Sequence, residues 1–333
     1  MNSVSAEQKY PGPLLVTLIV NYRTAELVVD CLRSLFTDAT LPENSYVVVA
    51  DGASEDGSVE QIETAIKENG WQDRTQLLPL AVNGGFSYSN NQALAHAIQA
   101  FGRPRHVLFL NPDTIVRPGA LHPLLEAVET NPRIGIAGAR LEDPDGTPQA
   151  CAFRFPTVLG EIESEAKLGP ITRLLDGWVI APPMAEQASR IDWVSGAGML
   201  VRTDVLDEIG RFDERYFLYY EEVDLCLRAA KAGWQCWHVP QSRIVHLVGC
   251  STGVTRLRTP NRRPAYWFQS RRRYFLKHHG TAYLVVADLA WLSGQLLWQL
   301  RRRIERKPLD SPPHLLRDFL THVWPSERLG LKG

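Results

Sequence analysis

Short apolar runs alternate with amphipathic stretches through residues 1–140. Leu14–Val20, Tyr46–Ala50, Gln76–Ala81, His106–Leu110 and Ile134–Ala139 are rich in Val, Ile and Leu and read as strands. The stretches near 25–36, 57–69, 88–101 and 118–130 read as helices between them. This β-α-β-α rhythm predicts an α/β fold, a mostly parallel sheet flanked by helices. Ligands of such sheets bind beyond the carboxyl ends of the strands. The polar residues after each strand are therefore the ones to inspect.

The pattern lapses over residues 141–190, where Pro144, Pro148, Pro156, Pro170, Pro182 and Pro183 occur. That stretch reads as a surface excursion with short helical pieces. Order resumes at Ile191–Val201, followed by a helix near 220–232 and strands near 235–239 and 243–247. Residues 282–300 form a largely apolar helix whose Asp288, Gln295 and Gln299 share one side, by spacings of seven and four. Arg271, Arg272, Arg273 and Lys277 precede it, and Arg301, Arg302, Arg303, Arg306 and Lys307 follow. One Asp and two Gln argue against a simple transmembrane span. The basic flanks suit a helix lying on an anionic membrane, and packing on protein is the alternative.

Charge sharpens this division. The 333 residues carry 36 Lys/Arg and 37 Asp/Glu, a net charge of -1. Residues 1–224 hold 17 Lys/Arg against 32 Asp/Glu, whereas residues 225–333 hold 19 against 5. The basic third thus calls for an anionic partner. Nucleic acid is disfavoured, because no nucleic-acid motif accompanies the arginines. The five cysteines, Cys31, Cys151, Cys226, Cys236 and Cys250, form no C-x-x-C pair and read as reduced thiols. A zinc site from Cys226, Cys236 and His238 would have an unusual spacing. Leu14–Val20 lacks a preceding basic region, so it reads as a strand and not a signal peptide, which favours the cytoplasm. The glycine fingerprints of dinucleotide enzymes and P-loop NTPases are missing, as are H-E-x-x-H and G-x-S-x-G.

Four strand exits carry candidate chemistry: Asn21-Tyr22-Arg23, Asp51 through Ser58, Asn83-Gly84-Gly85-Phe86 with Asn90-Asn91, and Asn111-Pro112-Asp113. Asp113 could hold a divalent cation against a diphosphate, or could simply make a turn. Asp51 could accept from a nucleobase imide or a ribose, or organise the following turn. Glu221, Glu222 and Asp224 head a helix, where the dipole favours acids. Phe212, Tyr216, Phe217, Tyr219 and Tyr220 precede them, and an aromatic pocket raises a carboxylate toward the range of a general base. His246 could complete a metal shell or bond a carbonyl.

Taken in order, Ile19-Val20-Asn21-Tyr22, Asp51 to Ser58, Asn83-Gly84-Gly85-Phe86, Asn111-Pro112-Asp113, Trp193-Val194-Ser195-Gly196-Ala197, Glu221-Glu222-Val223-Asp224-Leu225 and His246 with Ser251-Thr252 resemble bacterial family 2 glycosyltransferases, in particular their rhamnosyltransferase-like branch. The resemblance spans about residues 14–280. It implies a GT-A fold and inverting transfer from a nucleotide sugar, with dTDP-L-rhamnose as donor and a lipid-linked or polysaccharide acceptor. Asn21, Tyr22, Asp51, Asn83, Gly84, Gly85 and Asn111 then fall at the donor nucleotide. Asp113 and His246 fall at Mg²⁺ or Mn²⁺. Trp193, Ser195, Gly196 and Ala197 fall at the sugar and acceptor. Glu222 falls at the catalytic base, with Glu221 or Asp224 as alternatives.

The division expected is a glycosyltransferase domain over 1–255, its donor half at about 14–140 and its acceptor half at 141–255. A basic helical region would follow over 256–333, with an anionic membrane met through 256–307. The enzyme would work peripherally on the inner face of the cell membrane, with a homo-oligomer left open. A non-catalytic sugar-nucleotide-binding or membrane-scaffold protein is the alternative function.

Overall fold

The computed structural model describes residues 12–247, 261–306 and 311–323. The chain runs β1 (Leu15–Asn21), α1 (Ala25–Thr37), β2 (Ser45–Asp51), α2 (Ser58–Glu68), β3 (Thr75–Pro79), α3 (Gly85–Phe101), β4 (His106–Leu110), β5 (Thr114–Val116), α4 (Leu121–Thr130) and β6 (Ile134–Glu142). It continues through β7 (Ala152–Phe153), α5 (Val158–Ala166), α6 (Gly169–Leu174), a 3₁₀ turn, β8 (Ser189–Ile191), β9 (Trp193–Val194), β10 (Gly198–Arg202), α7 (Thr203–Ile209), α8 (Glu221–Lys231) and β11 (Gln235–His246). Two helices close it, α9 (Ala265–Glu305) and α10 (Leu315–Val323).

These elements form two compact units. Among the described residues, the first takes those up to 153, 181–217 and 221–247. The second takes 154–180, 218–220 and those from 261 onward.

The first unit is built on a sheet of order β3-β2-β1-β4-β10-β6-β11-β5, with β8 also on β11. β3, β2, β1 and β4 are parallel, and so are β6 and β11. β10 is antiparallel between β4 and β6. Every residue of β4 is buried, which explains its unbroken apolar run: helices cover both faces of the sheet. On α1, Ala25, Val28, Cys31, Leu32 and Leu35 repeat every three or four residues and pack into this core.

The two strands expected near 235–239 and 243–247 are one strand, β11, interrupted by a register shift between Val239 and Arg243. Pro240 lies within that shift; having no N–H to donate, it is tolerated where the ladder is broken.

The second unit centres on Arg271, whose guanidinium is buried. Its Nε and Nη2 donate to Oε2 of Glu161 at 2.9 and 2.7 Å, and Nη1 donates to Oδ1 of Asp288 at 2.6 Å. α5 approaches α9 closely at Gly294, where a Cβ would stand 2.9 Å from Cβ of Glu165 and 3.0 Å from the Ile162 carbonyl oxygen. Trp291 stacks on Phe319 of α10 with ring centroids 3.9 Å apart. α9 is broken at Gly280, where φ is 83° and ψ is 177°. Among the described residues, no helix is long and apolar enough to cross a membrane.

Candidate functional site

Sheet register gathers the predicted residues at one edge. Asn21 ends β1 and pairs with Asp51 at the end of β2. Both are buried. Asn21 Nδ2 donates to Asp51 Oδ1 at 2.7 Å and to Ser54 Oγ at 3.3 Å. Ser54 returns its hydroxyl to Asp51 Oδ1 at 2.6 Å and its backbone N–H to Oδ2 at 3.0 Å. Asp51 therefore organises this loop, and the remaining lone pair on Oδ2 can accept from a ligand. Arg23, Ala53 and Glu55 hold left-handed backbone angles here, an arrangement costing about 1–3 kcal/mol per residue and found where loops are shaped for function. Beside them lies a cleft of about 450 Å³, lined by Asp51, Ser54, Glu55, Pro79 and Leu80 among others. Tyr22 is exposed, with the Arg23 guanidinium 5.2 Å from its ring centroid.

The Asn83-Gly84-Gly85 turn leads into α3. Asn83 Oδ1 accepts the Gly85 N–H at 3.0 Å. Gly85 has φ of +83°, and a Cβ there would meet the Phe217 carbonyl oxygen at 2.1 Å. That carbonyl accepts the Phe86 N–H at 2.8 Å, so the glycine is demanded by a close backbone approach. Asn91 secures the same segment, donating to the Phe212 carbonyl at 2.9 Å and accepting the Phe212 N–H at 3.2 Å.

The Asn111 N–H donates to the Ala197 carbonyl at 3.3 Å, which joins the β4 exit to the entry of β10. Asp113 is buried, with Oδ1 3.5 Å from His246 Nε2. Pairing of β5 with β11 sets His246 opposite Thr114 and so brings it beside Asp113. Ser251 and Thr252 lie outside the described residues. In the 193–197 segment, Trp193 stacks on Phe153 at 4.2 Å, and Ser195 Oγ accepts the Ala197 N–H at 3.3 Å. A Cβ on Gly196 would lie 3.5 Å from the Phe86 ring.

The three acids at the head of α8 differ sharply. Asp224 is fully buried, accepting from Arg228 Nε at 2.8 Å and from the Tyr216 hydroxyl at 3.4 Å. It is committed to holding its helix. Glu221 is buried, and its carboxyl is pushed well up by burial first and by the Glu222 charge second. Glu222 is half-buried. Burial pushes it up to about 7, opposed by its own backbone N–H and by that of Gly196, which its carboxylate accepts. This contact ties Glu222 to the strand edge that carries Asn111. Tyr219 and Tyr220 both hold left-handed backbone angles.

Among the described residues, no three His, Cys, Asp or Glu side chains gather to hold a metal, so Cys226, Cys236 and His238 make no zinc site. Asp113 and His246 are the adjacent pair that could hold a metal. That suits Mg²⁺ or Mn²⁺ at a diphosphate, because such ions keep water and phosphate oxygens in most positions.

Ser54, Asn91 and the Phe217 carbonyl carry more of this edge than the motifs suggest. Ser54 looks like a helix cap, and a main-chain carbonyl leaves no sequence signal. Asn91 stands among Ser87, Ser89, Asn90 and Gln92 on α3, so only its place just after the Asn83-Gly84-Gly85 exit marks it.

Fold and edge together define the GT-A class of glycosyltransferases. The family model described as "Glycosyltransferase like family 2" matches residues 11–276, and the chain belongs to that family. An N-acetylglucosaminyl-diphospho-decaprenol L-rhamnosyltransferase of Mycobacterium tuberculosis is 32% identical over 266 residues, covering 77% of this chain and 79% of the relative. The rhamnosyltransferase WbbL of Escherichia coli is 29% identical over 165 residues, 49% of this chain and 60% of the relative. The mannosyltransferase PcManGT from Pyrobaculum calidifontis, solved with GDP-Man and Mn²⁺, superposes with a TM-score of 0.53 at 16% identity, covering 95% of this chain and 82% of the other. That likeness shows the fold.

Proposed function

We propose that this glycosyltransferase moves L-rhamnose from dTDP-L-rhamnose, with inversion, to a hydroxyl of a lipid-linked sugar. The acceptor class is an N-acetylglucosaminyl diphosphate on a polyprenol, made on the inner face of the cell membrane. The observation that carries this reading is the 32% identity, over 77% of the chain, to an enzyme of that name.

The chain's own groups support one displacement step. The acceptor oxygen attacks the anomeric carbon as the bond from that carbon to the diphosphate oxygen breaks. The bonding pair leaves with the nucleoside diphosphate. Glu222 takes the acceptor proton, and with its carboxyl near pH 7 it is ionised often enough to act and basic enough to accept. Gly196 orients it through the backbone N–H. Asn21, Asp51 and Ser54 shape the nucleoside end, with Tyr22, Asn83, Gly84, Gly85 and Asn111 along the same edge. Ser195 and Ala197, with the stacked Trp193, border the sugar. Asp113 and His246 would hold Mg²⁺ or Mn²⁺, which when bound offsets the charge on the leaving diphosphate.

A donor panel with purified protein and either metal, reading nucleoside diphosphate release, tests this. Release should be greatest with dTDP-L-rhamnose. Preference for another sugar nucleotide would refute the donor, and inertness toward all would refute the activity.

A further inference from the structure

The helix 282–300 is turned the opposite way from an ordinary surface helix. Two of its polar residues point inward: Asp288 onto Arg271, and Gln295 onto Glu165. Both are buried. The reason is electrostatic. A buried guanidinium needs carboxylates beside it, and Glu161 and Asp288 supply them.

The apolar residues are left outside. Val285, Val286, Leu289, Leu296, Leu300 and Ile304 are each 49–73% exposed. At about 100° per residue they fall within an arc of about 120°, and they run for about 30 Å along the helix. Exposed Ser293 interrupts the stripe between Leu289 and Leu296, its hydroxyl donating back to the Leu289 carbonyl at 2.8 Å; an exposed apolar stripe of this length still marks an interaction surface.

Charge decides what fits it. Lys277 before the stripe and Arg303 and Arg306 after it are exposed, and Arg272, Arg273, Arg301 and Arg302 are half-buried beside them. Asp288 is the one acid between Lys277 and Ile304 in the sequence, and it faces inward. Glu305, just past the stripe, pairs with Arg301 at 2.8 Å. A second copy of this helix would set basic end against basic end in either orientation. Anionic lipid offers an apolar interior to the stripe and negative headgroups to both ends.

We propose that the outward apolar face of α9 docks on an anionic membrane, with the helix lying parallel to the bilayer and Asp288 and Gln295 turned away from it. Its purpose rests on the membrane-borne acceptor proposed above, although the surface is read from α9 alone. Insertion would be shallow, because the opposite side of the helix is occupied by Arg271, α5 and α10.

Co-sedimentation of the full chain with vesicles tests this. Vesicles containing phosphatidylglycerol should retain the protein about tenfold or more better than phosphatidylcholine alone, and added salt should erode the difference. Joint replacement Leu289→Glu, Leu296→Glu and Leu300→Glu should reduce retention about 100-fold with an unchanged circular dichroism spectrum. Should that variant fail to fold, Arg303→Glu with Arg306→Glu should still abolish the preference for anionic vesicles. Binding to neither vesicle by the wild type would overturn the proposal. So would unaltered binding by these variants, or a lipid-free dimer that the leucine variants dissociate while the wild type ignores vesicles. Transfer to an acceptor dissolved in detergent reads the rhamnosyl reaction separately, so the two readings fail in distinguishable ways.

Discussion

Glu222→Gln removes the proton acceptor and keeps its size. The Gly196 N–H can still be accepted by the amide oxygen, so the site edge should hold. General-base assistance accounts for about 10²–10⁴ in rate, or about 3–5 kcal/mol of barrier, and kcat should fall by that factor. Nucleotide affinity should stay near normal. The pH profile is the sharper readout. Glu222 is held up to about 7 by burial, and the base acts only when ionised. Wild-type kcat/KM should therefore fall as pH drops through 7, to about one-tenth of its plateau at pH 6. The variant's low residual rate should lack that acid limb. Glu221→Gln should retain that limb, unmoved or shifted to lower pH, since burial is the leading cause of the raised Glu222 carboxyl and the Glu221–Glu222 repulsion acts on both. Rates are read as nucleoside diphosphate release between pH 5 and 9 at saturating metal. A Glu222→Gln enzyme with near-normal turnover, or one that keeps the acid limb, would refute the assignment.

Other variants probe the scaffold and the donor site. Asp113→Ala should abolish the Mg²⁺- or Mn²⁺-dependent part of dTDP binding measured by calorimetry; unchanged affinity and metal response would exclude Asp113 as a ligand. Gly85→Ala forces a Cβ into the Phe217 carbonyl at positive φ, and should cost at least about 1–3 kcal/mol in urea unfolding, with weaker nucleotide binding. Arg271→Met strands Glu161 and Asp288 in the interior and should cost about 3–5 kcal/mol at pH 7. Burial already raises both carboxyls, and removing the cation raises them further. A raised folded-state pKa favours the folded state at low pH and costs stability as pH rises through it, so the deficit should shrink below about pH 5. A deficit independent of pH would show that lost packing dominates.

How much the sequence discloses varies with the kind of contact. β1, β2 and β4 are legible because strands covered on both faces carry near-continuous runs of Val, Ile and Leu. The strand exits follow from the parallel rhythm, which is why Asn21, Asp51 and Asn111 can be named before any coordinates. β5 is hidden, since three residues carry no period. The membership of 154–180 in the second unit is hidden too. Glu161 looks like an ordinary helical acid, and its partner Arg271 lies 110 positions away. The orientation of α9 follows from that same pair. At the acidic cluster, the Asp224–Arg228 spacing of four announces an ion pair, whereas the Gly196 N–H on Glu222 is a long-range backbone contact with no sequence trace.

The proposed reaction transfers one deoxyhexose. It is tested most directly by incubating the purified protein with dTDP-L-rhamnose, Mg²⁺ or Mn²⁺ and an N-acetylglucosaminyl diphosphate lipid, then analysing the product by mass spectrometry and NMR. The product should be an acceptor enlarged by one deoxyhexose whose anomeric configuration is inverted relative to the donor. A retained configuration, or an unmodified acceptor while another sugar nucleotide is consumed, would contradict it.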